Sequence, residues 1–249
     1  MMWSDSRTPF LTADWRWLVM LNYEVDPSAL QSYVPMGTEL DLYQGKCLVS
    51  IVGFLFDGAK LFGRVPIPLH ASFEEVNLRF YVKRRIGDQT RRGVAFVKEL
   101  VPSHSVTWVA RLVFHENYQR VPMRHLITWN DPTSPQRGGQ FEYQWQSNGH
   151  WSKLCGKTHG PLADLEPESI AEFIVEHYWG YSKRRDGATF EYAVEHPRWK
   201  VWQAESCSFE TDIHALCGER FVRPLSSEPH SALIAEGSPV VLYHGAIVP

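Results

Sequence analysis

The segment FEEVNLRFYV, residues 73–82, carries three groups able to do chemistry at alternate positions: Glu75, Asn77 and Arg79. Successive strand side chains point to opposite faces, so these three project with Tyr81, while Val76, Leu78, Phe80 and Val82 project the other way. A carboxylate can move a proton, an amide can hold a polar atom, and a guanidinium can grip a carboxylate with two parallel hydrogen bonds. The same alternation describes a half-exposed antiparallel strand whose polar face meets water. A second dense cluster, ENYQRVPMRH at 116–125, holds Glu116, Tyr118, Arg120, Arg124 and His125 around the stiff Pro122. A surface loop is the plain alternative for that cluster.

Other reactive residues are weaker leads. In GVAFVKELV, 93–101, strand parity groups Lys98 with Val94 and Phe96, opposite Ala95, Val97 and Glu99. A desolvated amine there could form a Schiff base, but an exposed lysine whose stem covers apolar neighbours is the expectation. His177 falls on the apolar face of a helix and reads as a hydrogen-bonded core histidine. His214 and Cys217 lie three apart near Cys207 without a fourth ligand, so no metal site is expected. No GxGxxG, HExxH or GxSxG occurs, and the GKT at 156–158 lacks the preceding glycine of a phosphate loop. No organic cofactor is expected.

The elements that must position these groups are mostly strands. WRWLVMLNYEV, 15–25, is apolar on both parities, as a strand covered on both faces is. Asp26 and Pro27 then open about two turns of helix that Pro35 stops. CLVSIVGFLF, 47–56, is a second long strand with Gly53 as a candidate bulge. PIPLHASF reads as an extended loop, and SVTWVARLVF, 105–114, leans toward helix. MRHLITW and FEYQWQ flank NDPTSPQRGG as a long-looped hairpin, which HWSKLCGK extends. PESIAEFIVEHYW reads as a helix with Ile170, Phe173, Ile174, His177 and Tyr178 on one face, ended by Gly180. TFEYAVEH, RWKVWQAE and PVVLYHG are further strands, and DIHALC is a short helix.

A chain of 249 residues with 44% hydrophobic and 21% charged residues can bury a sizeable core as one domain spanning 1–249, its core running from about 12 to 245. Its 25 Lys and Arg against 28 Asp and Glu leave no basic field, so nucleic acid is not an expected partner. Lys83-Arg84-Arg85, Arg91-Arg92 and Lys183-Arg184-Arg185 read as solvated turns. Four cysteines without a CxxC pair, no signal-like N-terminus and no long apolar run point to a cytoplasmic protein with reduced thiols and no membrane partner. A homo-oligomer is left open.

Seven ordered blocks, WRWLVMLNYEVDP, VPMGTELDLYQGKCLVSIVGFLF, HASFEEVNLRFYV, RRGVAFVKELVP, ENYQRVPMRH, EHYWGY and TFEYAVEHPRW, resemble the YqjF-like family of uncharacterised proteins. That family in turn resembles the acetoacetate decarboxylase-like superfamily. The resemblance implies an α+β, β-rich fold: a curved, partly closed antiparallel sheet around a cavity, with a few peripheral helices. Phe73-Glu74-Glu75 is similar to the aromatic-spacer-glutamate start of the decarboxylases' cavity strand, which implies that Glu75 faces inward. ENYQRVPMRH resembles their second block in Glu116 and Pro122, but Met123 and Arg124 stand where the family has paired lysines. Neither thioether nor guanidinium can form the iminium that such decarboxylation needs.

The expectation is a protein with a small-molecule cavity. It acts by acid and base chemistry on a small carbonyl or carboxylate compound, as a lyase, isomerase or hydrolase without a Schiff-base lysine. Glu75, His125 and Glu116 are the candidate catalytic groups, and Arg79, Arg124 and Asn77 the candidate ligand-binding ones. The alternative is a non-catalytic protein that binds a small metabolite in the same cavity.

Overall fold

The computed structural model describes residues 8–66, 72–103 and 118–248. Glu116, the strand or helix at 105–114 and most of the loop at 66–73 lie outside the described residues. Long strands dominate because branched and aromatic residues alternate with polar ones through most of the chain. In order they are β1 (Pro9–Glu24), β2 (Glu39–Leu40), β3 (Leu48–Leu61), β4 (Val65–Pro66), β5 (Phe73–Ile86), β6 (Gln89–Val101), β7 (Tyr118–Arg120) and β8 (Met123–Trp129). They continue as β9 (Gly139–Ser147), β10 (His150–Asp164), β11 (Trp179–Lys183), β12 (Thr189–Glu195), β13 (Lys200–Glu210), β14 (Ser231–Tyr243) and β15 (Ala246–Val248).

All are joined in one sheet that curls until it meets itself. β12, β11, β6, β5, β3, β1 and β14 pair in succession, and β14 pairs again with β12 through Val194↔Leu242 and Glu195↔Val241. The ring is thin at one seam, where β11 and β6 meet in parallel through Gly180↔Val94. The expected curved, partly closed and mainly antiparallel sheet is therefore the architecture of this chain. From β14 the sheet continues through β13, β10, β9 and β8 as a flap that folds back over the outside of the ring.

Two cores result. The outer one lies between ring and flap, where Val19, Ile51, Leu78 and Phe80 meet Phe141, Tyr143, Trp145 and Trp202. Gly53 belongs to this contact. It keeps its register with Val19 and Val76, and a Cβ there would stand 2.7 Å from the Tyr143 ring, so the glycine serves close approach and not a bulge. The bulge lies across the ladder in β1, where Trp17 takes φ 56° and its carbonyl accepts the Tyr143 hydroxyl at 2.8 Å. The inner core fills the ring with Leu18, Met20, Phe54, Phe56 and Tyr81, and it is here that the interior opens into a cavity.

Helices are short and peripheral. α1 (Pro27–Leu30) starts as expected, with Asp26 accepting from the Ser28 amide, but makes one turn before a turn leads to Pro35. α2 (Ile170–Val175) is capped by Ser169 and is shorter than the spacing predicts: it stops before His177 and Tyr178 because the chain must straighten into β11 from Trp179. α3 (Ile213–Cys217) and α4 (Glu219–Leu225) bury Leu216 and Phe221 in the outer core. Among the described residues no helix is long and apolar enough to cross a membrane.

Two of the basic clusters are more than solvated turns. Arg84 and Arg91 converge on the buried carboxylate of Glu191, while Arg92 and Lys83 reach Asp41. The β5–β6 hairpin brings these side chains back over the ring, where carboxylates from β12 and the loop after β2 meet them.

Candidate functional site

β5 runs through the ring wall, and its inward parity carries Phe73, Glu75, Asn77, Arg79 and Tyr81. Its outward parity, Val76, Leu78, Phe80 and Val82, feeds the outer core. The polar face of the strand therefore meets a cavity of about 90 Å³ and not bulk solvent. That is several times the roughly 10–15 Å³ a single water needs on the same measure. Phe54, Phe56, Phe73, Trp15 and Trp199 make the walls largely aromatic.

Glu75 is 3% exposed. One carboxylate oxygen accepts from Asn77 Nδ2 at 2.9 Å and the other from the Tyr118 hydroxyl at 3.2 Å. Loss of hydration dominates and pushes its pKa up to about 7, against the opposing pull of those hydrogen bonds and of the Arg79 charge. A carboxyl with such a value changes protonation near neutrality, as a proton-transfer group must.

Arg79 donates from Nη2 to the Ile174 carbonyl at 3.1 Å and lies 3.8 Å from the Met20 sulfur. Among the described residues no carboxylate lies within salt-bridge distance of it, and its Nε has no partner. Opposite β5, the ladder with β6 pairs Arg79 with Phe96 and Asn77 with Glu99, so Phe96 and Glu99 enter the same lining.

Three further polar side chains close the site. His177, just past α2, is buried with its ring 4.8 Å from that of Tyr81. Burial, reinforced by the Arg92 and Arg79 charges, holds its pKa well below the usual imidazole value. His196 is stacked between Tyr178 and Trp199 at ring separations of 4.8 and 4.4 Å, its Nδ1 donating to the Pro197 carbonyl at 2.9 Å. Burial lowers its pKa as well. Tyr118, the third, comes from β7.

Buried polar atoms without partners gather at this cavity. Trp15 Nε1, Asn77 Oδ1, Arg79 Nε and both ring nitrogens of His177 belong to its lining residues and meet no hydrogen-bond partner of good geometry among the described residues. Each such atom costs about 1–3 kcal/mol if its hydrogen bond is left unmade, a cost that a polar guest in the cavity, water included, would relieve.

Of the residues singled out in the sequence, Glu75, Asn77 and Arg79 meet at the cavity. His125 and Arg124 do not. β8 is the last strand of the flap, and His125 Nδ1 lies 2.6 Å from Glu74, the residue next to Glu75 that points outward. Arg124 stacks 4.1 Å above Trp151 and donates to Gln144. Lys98 also faces away: it pairs with Leu78 of the outer core, and its charge is felt by Cys217 of α3.

Glu99 and His196 carry no role in the sequence alone, and His177, expected as a hydrogen-bonded core histidine, is buried but makes no ring hydrogen bond of good geometry among the described residues. Unbroken alternation sets Glu99 on the face opposite Phe96, whereas the two share the cavity lining; helical spacing puts His177 on an apolar face, and nothing in the residues around His196 marks it.

The family model of uncharacterised conserved proteins named DUF2071 matches residues 12–239. The uncharacterised protein YqjF of Bacillus subtilis is 24% identical over 208 residues, covering 81% of this chain and 80% of its own. Among solved structures, acetoacetate decarboxylase from Legionella pneumophila is similar at a TM-score of 0.68 and 13% identity, covering 100% of this chain and 91% of its own. The enduracididine biosynthesis enzyme MppR complexed with pyruvate is similar at a TM-score of 0.64 and 14% identity, covering 98% and 91%. These identities carry the fold and leave the chemistry to the residues.

Proposed function

On the premise that this chain belongs to the DUF2071 family and has the acetoacetate decarboxylase-like fold, we propose that its ring cavity takes a small carboxylate-bearing carbonyl compound and acts on it by acid and base chemistry. The observation that carries this reading is the set of polar atoms, unpartnered among the described residues, around a small aromatic cavity, with Arg79 Nε among them. Arg79 grips the carboxylate of the ligand, because a guanidinium with donors to spare in a dehydrated site is a strong carboxylate anchor. Glu75 moves the proton, since its pKa near 7 lets it both accept and return one. Asn77 holds the Glu75 carboxylate through Nδ2 and offers Oδ1 to the ligand.

An imine is not part of this chemistry. No lysine is among the described residues that line the cavity, and the segments 1–7, 67–71 and 104–117 contain none in their sequence. A Schiff base needs a primary amine at the site. That one structural relative, MppR, has been obtained with pyruvate supports a ligand of this size and kind.

The test is a thermal-shift titration of the whole chain with pyruvate, acetoacetate, lactate and succinate. A ligand bound by the native state alone raises the melting temperature by mass action, about 2.7 kcal/mol at a hundred times its Kd. The expected result is a saturable rise with at least one oxo acid that Arg79→Met abolishes. No rise with any of the four, or a rise that survives Arg79→Met, refutes the reading. Binding without conversion of the bound compound, followed by NMR, makes the protein a metabolite binder instead.

A further inference from the structure

His177 stands where α2 gives way to β11, and its ring enters the cavity lining. Its side chain is 2% exposed; the Ile174 carbonyl lies near enough to oppose the lowering of its pKa, but among the described residues neither ring nitrogen makes a hydrogen bond of good geometry. Nε2 lies 4.0 Å from Asp41 Oδ2, a carboxylate otherwise engaged by Arg92 and Lys83. Phe173 meets the ring edge-on at 5.6 Å.

Arg79 reaches the same place from β5. Its guanidinium carbon lies 5.8 Å from the centre of the Tyr81 ring, the ring that His177 meets at a tilt of 36°, and its Nη2 is bonded to Ile174, three residues before the histidine. One aromatic ring thus neighbours both the imidazole and the guanidinium, while Glu75 lies on the same strand face as Arg79. A ligand carboxylate on Arg79 would have Glu75 along the strand and His177 beside it.

We propose that His177 is the second proton-handling group of this cavity, and that the pair performs reversible enolisation of a small 2-oxo acid. This inference rests on the reading of the cavity as an oxo-acid site. In the step, the Glu75 carboxylate takes a proton from the carbon next to the carbonyl. The C–H electron pair becomes the new carbon–carbon double bond, and the carbonyl π pair moves onto oxygen. The His177 N–H holds that oxygen by a hydrogen bond, and Arg79 holds the carboxylate. Return of the proton from Glu75 restores the compound, so atoms and electrons balance without a co-reactant.

Three observations favour this step over hydrolysis. Among the described lining residues there is no Ser, Thr, Cys or Lys to accept an acyl group. The walls are largely aromatic, with little polar surface to hold a nucleophilic water. A buried, neutral imidazole is a donor suited to a developing enolate oxygen, because it stabilises charge without adding a competing cation.

The experiment places the full chain in D2O with pyruvate and follows loss of the methyl proton signal by NMR, alongside the melting temperature with pyruvate. The expected result is exchange at least tenfold faster than in buffer, lowered tenfold or more by His177→Gln while pyruvate still raises that variant's melting temperature. Binding with no accelerated exchange, or exchange unaffected by His177→Gln, overturns the inference and leaves the cavity reading standing. Absence of both binding and exchange overturns the two together. The unaltered protein supplies a check that does not depend on a folded variant: saturating pyruvate should shift the ring nitrogen resonances of 15N-labelled His177. Unchanged resonances at saturation overturn the proposal.

Discussion

Asn77 faces Glu99 directly across the ladder between β5 and β6, and this pairing exists because β6 contains a bulge. Leu78 pairs with Lys98, yet Arg79 pairs with Phe96, so Val97 is the extra residue. The extra residue reverses the alternation. Phe96 and Glu99 turn toward the cavity, whereas Lys98 turns to the outer core. One inserted residue thereby exchanges an amine for a carboxyl in the ring interior.

Lys98 should accordingly be inert toward carbonyl compounds. Incubation with pyruvate or acetoacetate followed by borohydride should leave the mass of the protein unchanged, and Lys98→Ala should bind these acids as the parent does. A borohydride-dependent adduct in the mass spectrum would contradict the absence of imine chemistry.

Glu75 should make stability depend on pH. Its pKa of about 7 in the fold exceeds the ordinary carboxylate value, so the native state holds a proton that the unfolded chain releases. The stability it contributes is complete below about pH 4.5 and is lost as pH rises through 7. The shift corresponds to roughly 3 kcal/mol between pH 4.5 and pH 8. Glu75→Gln should remove that loss, gaining on the parent as pH rises; urea unfolding at several pH values measures the difference. Parallel profiles would show that the carboxyl is not buried as described.

Arg79→Lys separates charge from geometry. Lysine keeps the cation but not the planar fork, so the affinity for a small oxo acid should fall at least tenfold, which is about 1.4 kcal/mol. Calorimetric titration reads the change, and unaltered affinity would deny the two-pronged grip.

Glu191 tests the clasp over the ring. Its carboxylate is 6% exposed and accepts from Arg84 and Arg91, both better exposed than it is. Glu191→Gln leaves two cations with one neutral partner and should cost roughly 2–4 kcal/mol, at or below the range for fully buried pairs. Chemical denaturation measures it, and a change below 1 kcal/mol would mean solvent replaces the carboxylate freely.

Gly180→Ala tests the packing of β11 on β12 beside the thin seam. A Cβ at Gly180 would stand 2.0 Å from the Tyr192 ring, inside the contact between β11 and β12. Moving a cavity-lining tyrosine to make room should cost about 1–3 kcal/mol. A melting temperature equal to the parent's would show that Tyr192 moves aside at no cost.

The sequence by itself determined the strand-rich class, the hairpin of β8 and β9, the family, and the parity of β5. These are local or nearest-neighbour properties: Glu75, Asn77 and Arg79 share a face because β5 alternates without interruption through them, whatever surrounds it. Only the tertiary structure decided that this face looks into a cavity, since ring closure depends on β12 meeting β14 and on β11 touching β6, contacts between segments far apart in sequence. It also separated His125 and Arg124 from the cavity, by sending β8 to the far end of the flap. A bulge and a truncated helix brought Glu99 and His177 in. Both are breaks in periodicity, which a periodic reading cannot anticipate, and each arises where the backbone yields to packing across the ring.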